Sequence, residues 1–151
     1  MTRLPETTAR LARGLRVGCS VLGAGACAVS RSTRVIANKE TVQRYMEAYA
    51  KWDHAAVLAC LTDDVEWVVP GAFHLIGRDA FDHEIEGHGA AGPPEITVTR
   101  MVEEDDVVVA EGTVRNALDD GAVLSLVYCD VFLMRDGRIR QLTSYLMPVP
   151  L

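Results

Sequence analysis

The second half of this chain reads as one continuous antiparallel meander. Ile96–Val102, Val107–Ala117, Val123–Met134 and Ile139–Met147 are strand-like, and Asp105-Asp106, Asp119-Asp120-Gly121 and Asp136-Gly137 mark the turns between them. Turns this short join antiparallel neighbours, so the four stretches belong to one sheet. In the third of them an acid, Asp130, interrupts an apolar run. Side chains alternate faces along a strand. Leu126, Tyr128, Asp130 and Phe132 therefore share one face, and Val127, Cys129, Val131 and Leu133 share the other. A carboxylate among such neighbours is costly unless it is paired or protonated. Asp130 needs a partner or a task.

The first half of the chain is helical in pattern. Asn38 suits an N-cap, with Glu40 in the first turn. Val42, Tyr45, Met46, Tyr49 and Trp52 then follow at helical spacing. Asp53 can cap a second helix running through Leu61. Val65–Val69 is a short strand stopped by Pro70-Gly71, and Gly77-Arg78-Asp79 opens a third helix with Phe81 and Ile85 on one side. Helices followed by a run of strands argue for an α+β fold, in which a curved antiparallel sheet packs on three helices as a cone.

Charge divides the chain. The first 37 residues hold six Arg against one Glu, and the remainder holds nine Lys and Arg against twenty Asp and Glu. A folded part this acidic argues against nucleic acid as a partner. Residues 1–36 read as a basic, disordered N-terminal extension, and residues 37–151 as the domain. The extension also has the outline of a signal: Arg10, Arg13 and Arg16 precede a mild apolar stretch ending at Cys27. A true start at Val35 is a third reading. The expected location is cytoplasmic, or exported if the signal reading holds. The Gly-rich stretch is too short to span a membrane. Cys60 and Cys129 lie in apolar patterns and read as free thiols.

Several strings, in this order, resemble the nuclear transport factor 2-like superfamily, in particular its SnoaL-like and ketosteroid isomerase-like members. They are Arg44-Tyr-Met-Glu-Ala-Tyr49, Leu61-Thr-Asp-Asp-Val-Glu-Trp67, Pro70-Gly71, Gly77-Arg-Asp79 and Asp130-Val-Phe-Leu-Met-Arg-Asp-Gly-Arg-Ile139. The resemblance spans Ala37 to Pro148 and implies the superfamily's α+β barrel. Steroid isomerases of this fold use an Asp base with an oxyanion hole made of a Tyr and a protonated Asp. The resemblance puts Tyr45 and Asp130 in the positions of that hydrogen-bonding pair. Where the base is expected, just before Pro70, stands Val69, which cannot take a proton. The Arg and Asp pattern of limonene-epoxide-type hydrolases is not apparent either, since the nearest positions hold Glu111 and Thr113.

The same registration turns Glu111, Thr113, Arg115 and Ala117 toward the cavity. It also turns Leu142, Ser144 and Leu146 inward, with Trp67 and Val69. The implied site has Tyr45, Asp130 and Glu111 as catalytic candidates, Glu111 being the replacement base. Trp67, Val69, Arg115, Tyr128, Phe132, Leu142, Ser144 and Leu146 are the candidate ligand contacts. His74, in the loop beside the mouth, is a second candidate base. The bland alternatives are a Glu111–Arg115 rim salt bridge and a structural Tyr45–Asp130 hydrogen bond. No metal or other cofactor is implied. His83-Glu-Ile-Glu-Gly-His88 has the wrong spacing for a helical zinc pair, and Gly23-Ala-Gly-Ala-Cys-Ala28 lacks the βαβ context of a dinucleotide site.

Three functions fit. One is an isomerase-, cyclase- or hydrolase-type enzyme acting on an apolar carbonyl or polyketide-like compound. The others are a non-catalytic protein binding a small apolar molecule, and a dimeric scaffold. A homodimer is expected through the apolar face carrying Cys129, Val131 and Leu133.

Overall fold

The computed structural model describes residues 31–87 and 89–149. The readings of the basic extension over residues 1–30, and of His88, lie outside the described residues. Three helices and six strands run in the order α1 (Arg31–Tyr49), α2 (His54–Ala59), β1 (Leu61–Val69), β2 (Phe73–Ile76), α3 (Arg78–Glu84), β3 (Glu95–Glu104), β4 (Val107–Ala117), β5 (Val123–Arg135) and β6 (Arg138–Pro148). The sheet order is β2-β1-β6-β5-β4-β3. Every adjacent pair is antiparallel except β1 and β6, which are parallel. The fold is α+β, and the curved sheet stays open rather than closing into a barrel. Among the described residues, no helix is long and apolar enough to cross a membrane.

The four C-terminal strands fall where the sequence pattern puts them. The first half differs in three ways. Helix α1 begins at Arg31, so Asn38 is not a cap. It is buried within the helix, and its Nδ2 donates to Glu103 Oε1 at 3.1 Å. Strand β1 begins at Leu61, because Leu61 and Thr62 are buried in strand geometry while Asp63 and Asp64 face solvent. Pro70-Gly71 ends β1 at Val69 as expected, but it is also a hairpin turn. Gly71 adopts φ +83°, Ala72 N donates to Val69 O, and the chain returns as β2 against β1. The capping of α2 is as expected, with the Asp53 carboxylate accepting from Ala56 N at 3.0 Å.

One stripe of α1 faces the inner side of the sheet. Val42, Tyr45 and Met46 are buried, and Tyr49 and Trp52 extend the stripe against the core. Two polar contacts hold α1 across the sheet: Asn38 reaches β3, and Thr41 Oγ1 donates to Gly137 O in the β5–β6 turn at 2.9 Å. Phe81 and Ile85 fill the space behind α3. On β4 the inward set is Val108, Ala110 and Gly112, followed by Val114 and Asn116. Glu111, Thr113, Arg115 and Ala117 alternate outward. This reverses the facing that the family registration implies.

Close packing explains the choice of face. Register pairs Ala110 with Asp130 and Gly112 with Tyr128. A Cβ on Gly112 would lie 1.9 Å from Thr97 O and 2.7 Å from Tyr128 Oη. A side chain as large as Glu cannot point inward there. The pairing of β3 with β4 also shifts between Val98 and Arg100, which bulges β3 at Thr99, and Thr99 Oγ1 donates to Glu111 O at 2.9 Å. A bulge of this kind bends a strand and increases its twist.

Gly112→Ala should therefore destabilise the fold by ~2 kcal/mol, the usual scale for overpacking. Urea unfolding measures it. A change near zero would mean that β3 moves away from β4 without cost.

Candidate ligand-binding pocket

Between α1, the α3 end and the inner face of the sheet lies a cavity of about 170 Å³. Its floor is formed by Tyr45, Trp67, Asp130, Leu142 and Ser144, all buried. Toward the mouth the lining passes through the half-buried Trp52 and Asn116 to the exposed Glu86 and Leu146. The floor is set by register: Asp130 on β5 stands opposite Ser144 on β6, and Phe132 stands opposite Leu142, which in turn faces Trp67 on β1.

A short relay crosses this floor. Trp67 Nε1 donates to Ser144 Oγ at 3.1 Å, and the Ser144 hydroxyl hydrogen bonds to the Asp130 carboxyl. A hydroxyl has one hydrogen to give. With the indole N–H on one lone pair, the Ser144 hydroxyl keeps its hydrogen and one further acceptor site. The second carboxyl oxygen, Oδ1, is buried and has no partner. Burial pushes the Asp130 carboxyl up from the ordinary 3.8 to about 7, against the smaller lowering effect of Ser144. When protonated, Asp130 carries one hydrogen, and the unpartnered Oδ1 is free to meet a ligand.

Aromatic packing fixes the relay. Trp67 stacks on Phe81 at 4.7 Å between centroids and meets Phe73 edge-on at 5.1 Å. Tyr45 meets Phe132 edge-on at 5.6 Å. Burial raises the Tyr45 hydroxyl well above its ordinary pKa, and Asp130 adds to the effect, so Tyr45 stays a neutral phenol. Among the described residues, no hydrogen bond joins Tyr45 to Asp130; the carboxyl's partner is Ser144. Tyr128 Oη is also buried without a partner, and burial pushes its pKa up to about 12.

The residues singled out in the sequence divide into two groups. Tyr45, Asp130, Trp67, Tyr128, Leu142, Ser144 and Leu146 come together around the cavity. Phe132 lies behind it, fully buried against Tyr45. Val69 borders an adjoining, more open groove of about 540 Å³ that shares Tyr128, Ser144 and Leu146 with the cavity and also touches Glu111. Glu111 sits on the outer face and is held by Arg100 of β3, at 2.7 Å between Nη2 and Oε2. Arg115 is on that outer face too. Neither reaches the cavity, because the tight Ala110–Gly112 segment claims the inward positions. Nor do they pair with each other. His74 pairs with Glu66 at 3.1 Å on the β1–β2 hairpin, away from the cavity.

Sequence reasoning missed Asn116 and Glu86 and took Trp52 only as core. Asn116 shares the parity of Ala110 and Gly112, and that small-residue pair was the available signal. Trp52 adopts φ +53° just after α1, a conformation rare for a bulky residue, and this brings its indole to the mouth. Nothing in the sequence marks it. Among the described residues, no group of three or more His, Cys, Asp or Glu side chains could hold a metal ion.

A family model described as the SnoaL-like domain matches residues 42–142. No curated protein matches the sequence. Solved structures do match. One is an LEH-like epoxide hydrolase of M. tuberculosis, at 22% identity and TM-score 0.67, covering 75% of this chain and 84% of that one. Another is an NTF2-like protein of unknown function from Burkholderia pseudomallei, at 23% identity and TM-score 0.66, covering 72% and 88%. A third, from Xanthomonas campestris pv. campestris, was proposed to be a polyketide cyclase; it is 26% identical with TM-score 0.63, covering 74% and 91%. The first two likenesses establish the fold alone.

The elevated Asp130 pKa links stability to pH with a definite sign. Below about pH 4 the acid is neutral in both folded and unfolded chains. As pH rises from there to about 7, the unfolded chain ionises this group while the folded chain keeps its proton. Stability is therefore lost across that window, by at most ~4 kcal/mol. Asp130→Asn should remove this part of the pH dependence. Chemical denaturation of both proteins at pH 4.5 and pH 8 is the comparison. Equal pH slopes in the two proteins would refute the shift.

Proposed function

This chain belongs to the SnoaL-like domain family, and on that footing we propose that its pocket binds a small apolar ring compound through an acceptor oxygen. The observation that carries the reading is Asp130 Oδ1, buried and unpartnered at the floor of an apolar cavity. An orphaned polar atom costs stability unless something uses it. As a neutral acid, Asp130 offers one hydrogen to a carbonyl or hydroxyl oxygen, and the Tyr45 phenol on the same floor can supply a second.

Size narrows the ligand. A dry cavity of 150 Å³ accommodates benzene, so about 170 Å³ suits one substituted ring and not a tetracyclic steroid. The reading favours binding and carbonyl polarisation over proton abstraction. Val69 replaces the expected base, and Glu111 lies on the far side of the sheet with Arg100. Turnover of an isomerase, cyclase or hydrolase type would have to use Asp130 itself, whose pKa of about 7 suits proton transfer near neutrality.

Native mass spectrometry for a co-purified ligand, then a thermal-shift screen of single-ring ketones, tests the reading. Asp130→Asn keeps a donor and should retain most of the binding. Asp130→Leu should fold and bind roughly tenfold more weakly, the worth of one buried hydrogen bond. Full binding by the Leu variant would rule out Asp130 as the contact.

We also propose a homodimer through the outer face. Val127, Tyr145 and Met147 are exposed there at 38%, 54% and 65%, beside the half-buried Cys129 and Val131. Val127→Glu should convert a sedimenting dimer to monomer at micromolar concentration. A wild-type monomer under those conditions would contradict the proposal.

A further inference from the structure

The charge pattern of the pocket defines its ligand more narrowly than size does. Among the described residues, no Lys or Arg lines the cavity. Arg115, the one cation among the candidate ligand contacts, lies outside it. The ionisable acids in the lining are Asp130 at the floor and Glu86 at the mouth. Glu86 is 63% exposed and its nearest cation is His54, at 3.5 Å. His54 is engaged chiefly by Asp82, at 2.7 Å, which together with Glu86 raises its pKa. The mouth therefore keeps a negative balance. The same lining includes the aromatic rings of Trp52 and Tyr49, and Asn116, whose Oδ1 is a buried, unpartnered acceptor.

Glu86 and the aromatic rings treat a ligand's charge in the same way. An anionic substituent entering the mouth would lose its water and meet Glu86, with no Lys or Arg in the lining to replace the loss. An ammonium would gain the carboxylate of Glu86, the carbonyl of Asn116 and the faces of the rings.

We infer that the pocket selects ring compounds that carry an acceptor oxygen at one end and either no charge or an amine at the other, and that it rejects carboxylates and phosphates. This inference rests on the pocket reading above, with Asp130 holding the acceptor oxygen at the floor.

The chain's two tryptophans, Trp52 and Trp67, both line the cavity, so their indole N–H resonances report occupancy. The test titrates ¹⁵N-labelled protein at about pH 6, where Asp130 is protonated, with acetophenone, para-(aminomethyl)acetophenone and para-acetylbenzoate. The amine should bind tighter than acetophenone, and the carboxylate should bind at least roughly tenfold more weakly than acetophenone. The advantage of the amine should fade with added salt and disappear in Glu86→Gln. A carboxylate that binds as tightly as acetophenone, or an amine with no advantage, overturns the charge inference and leaves the pocket reading intact. If none of the three shifts either indole resonance, the pocket reading itself falls, and the charge inference with it.

Discussion

The buried carboxyl of Asp130 is the constraint around which the site is arranged. It sits opposite Ala110 on one side and Ser144 on the other, at the centre of the sheet's inner face. Ala110 offers it no polar partner, and Ser144 offers one hydrogen. Trp67 fills one acceptor site on the same hydroxyl. Trp67 in turn cannot rotate away, being stacked on Phe81 and wedged against Phe73. The aromatic core therefore orients a polar relay that ends in an unpaired oxygen. A core built only for stability would have capped that oxygen or replaced Asp130 with an apolar residue.

The cavity around Asp130 depends on how the sheet curves. Gly112 lets β3 approach β4 more closely than any side chain would allow, and the bulge at Thr99 bends β3 at the same level. Helix α1 spans the inner face, held by Asn38 at β3 and by Thr41 at the β5–β6 turn. The space left between helix and sheet is the pocket. Its mouth carries a further cost in Trp52, whose left-handed backbone is unfavourable by about 1 kcal/mol or more. Glycine would relieve that strain and remove a wall of the cavity.

Much of this was legible in the sequence. Alternation within Leu124–Met134 placed Tyr128 and Asp130 on one face, and the turn signals placed all four strands of the meander. The α1 stripe was equally clear, because its spacing has a single helical solution. The facing of β4 was not legible. Val107–Ala117 is apolar at its start and mixed at its end, so its pattern fits either parity, and a one-residue choice exchanges Glu111 and Arg115 for Gly112 and Asn116. What decides the matter is the close approach of Thr97 and Tyr128 to Gly112, a packing fact across three neighbouring strands that no single strand's pattern shows. Likewise, Asn38 looked like a cap because its partner, Glu103, is 65 residues away. Strand β2 was hidden because Pro70-Gly71 marks a turn without saying whether the chain pairs after it.

The account stands on Asp130 holding its proton, and so acting as a hydrogen-bond donor, up to about pH 7. A direct measurement is the side-chain carboxyl ¹³C resonance of Asp130, assigned by comparison with Asp130→Asn and followed from acid to alkaline pH. The account predicts a midpoint near 7, rising further in Ser144→Ala as the hydrogen bond that favours the charged form is lost. A midpoint near the ordinary carboxylate value of about 3.9 would show that Asp130 is ionised in the folded protein and would contradict its role as a donor.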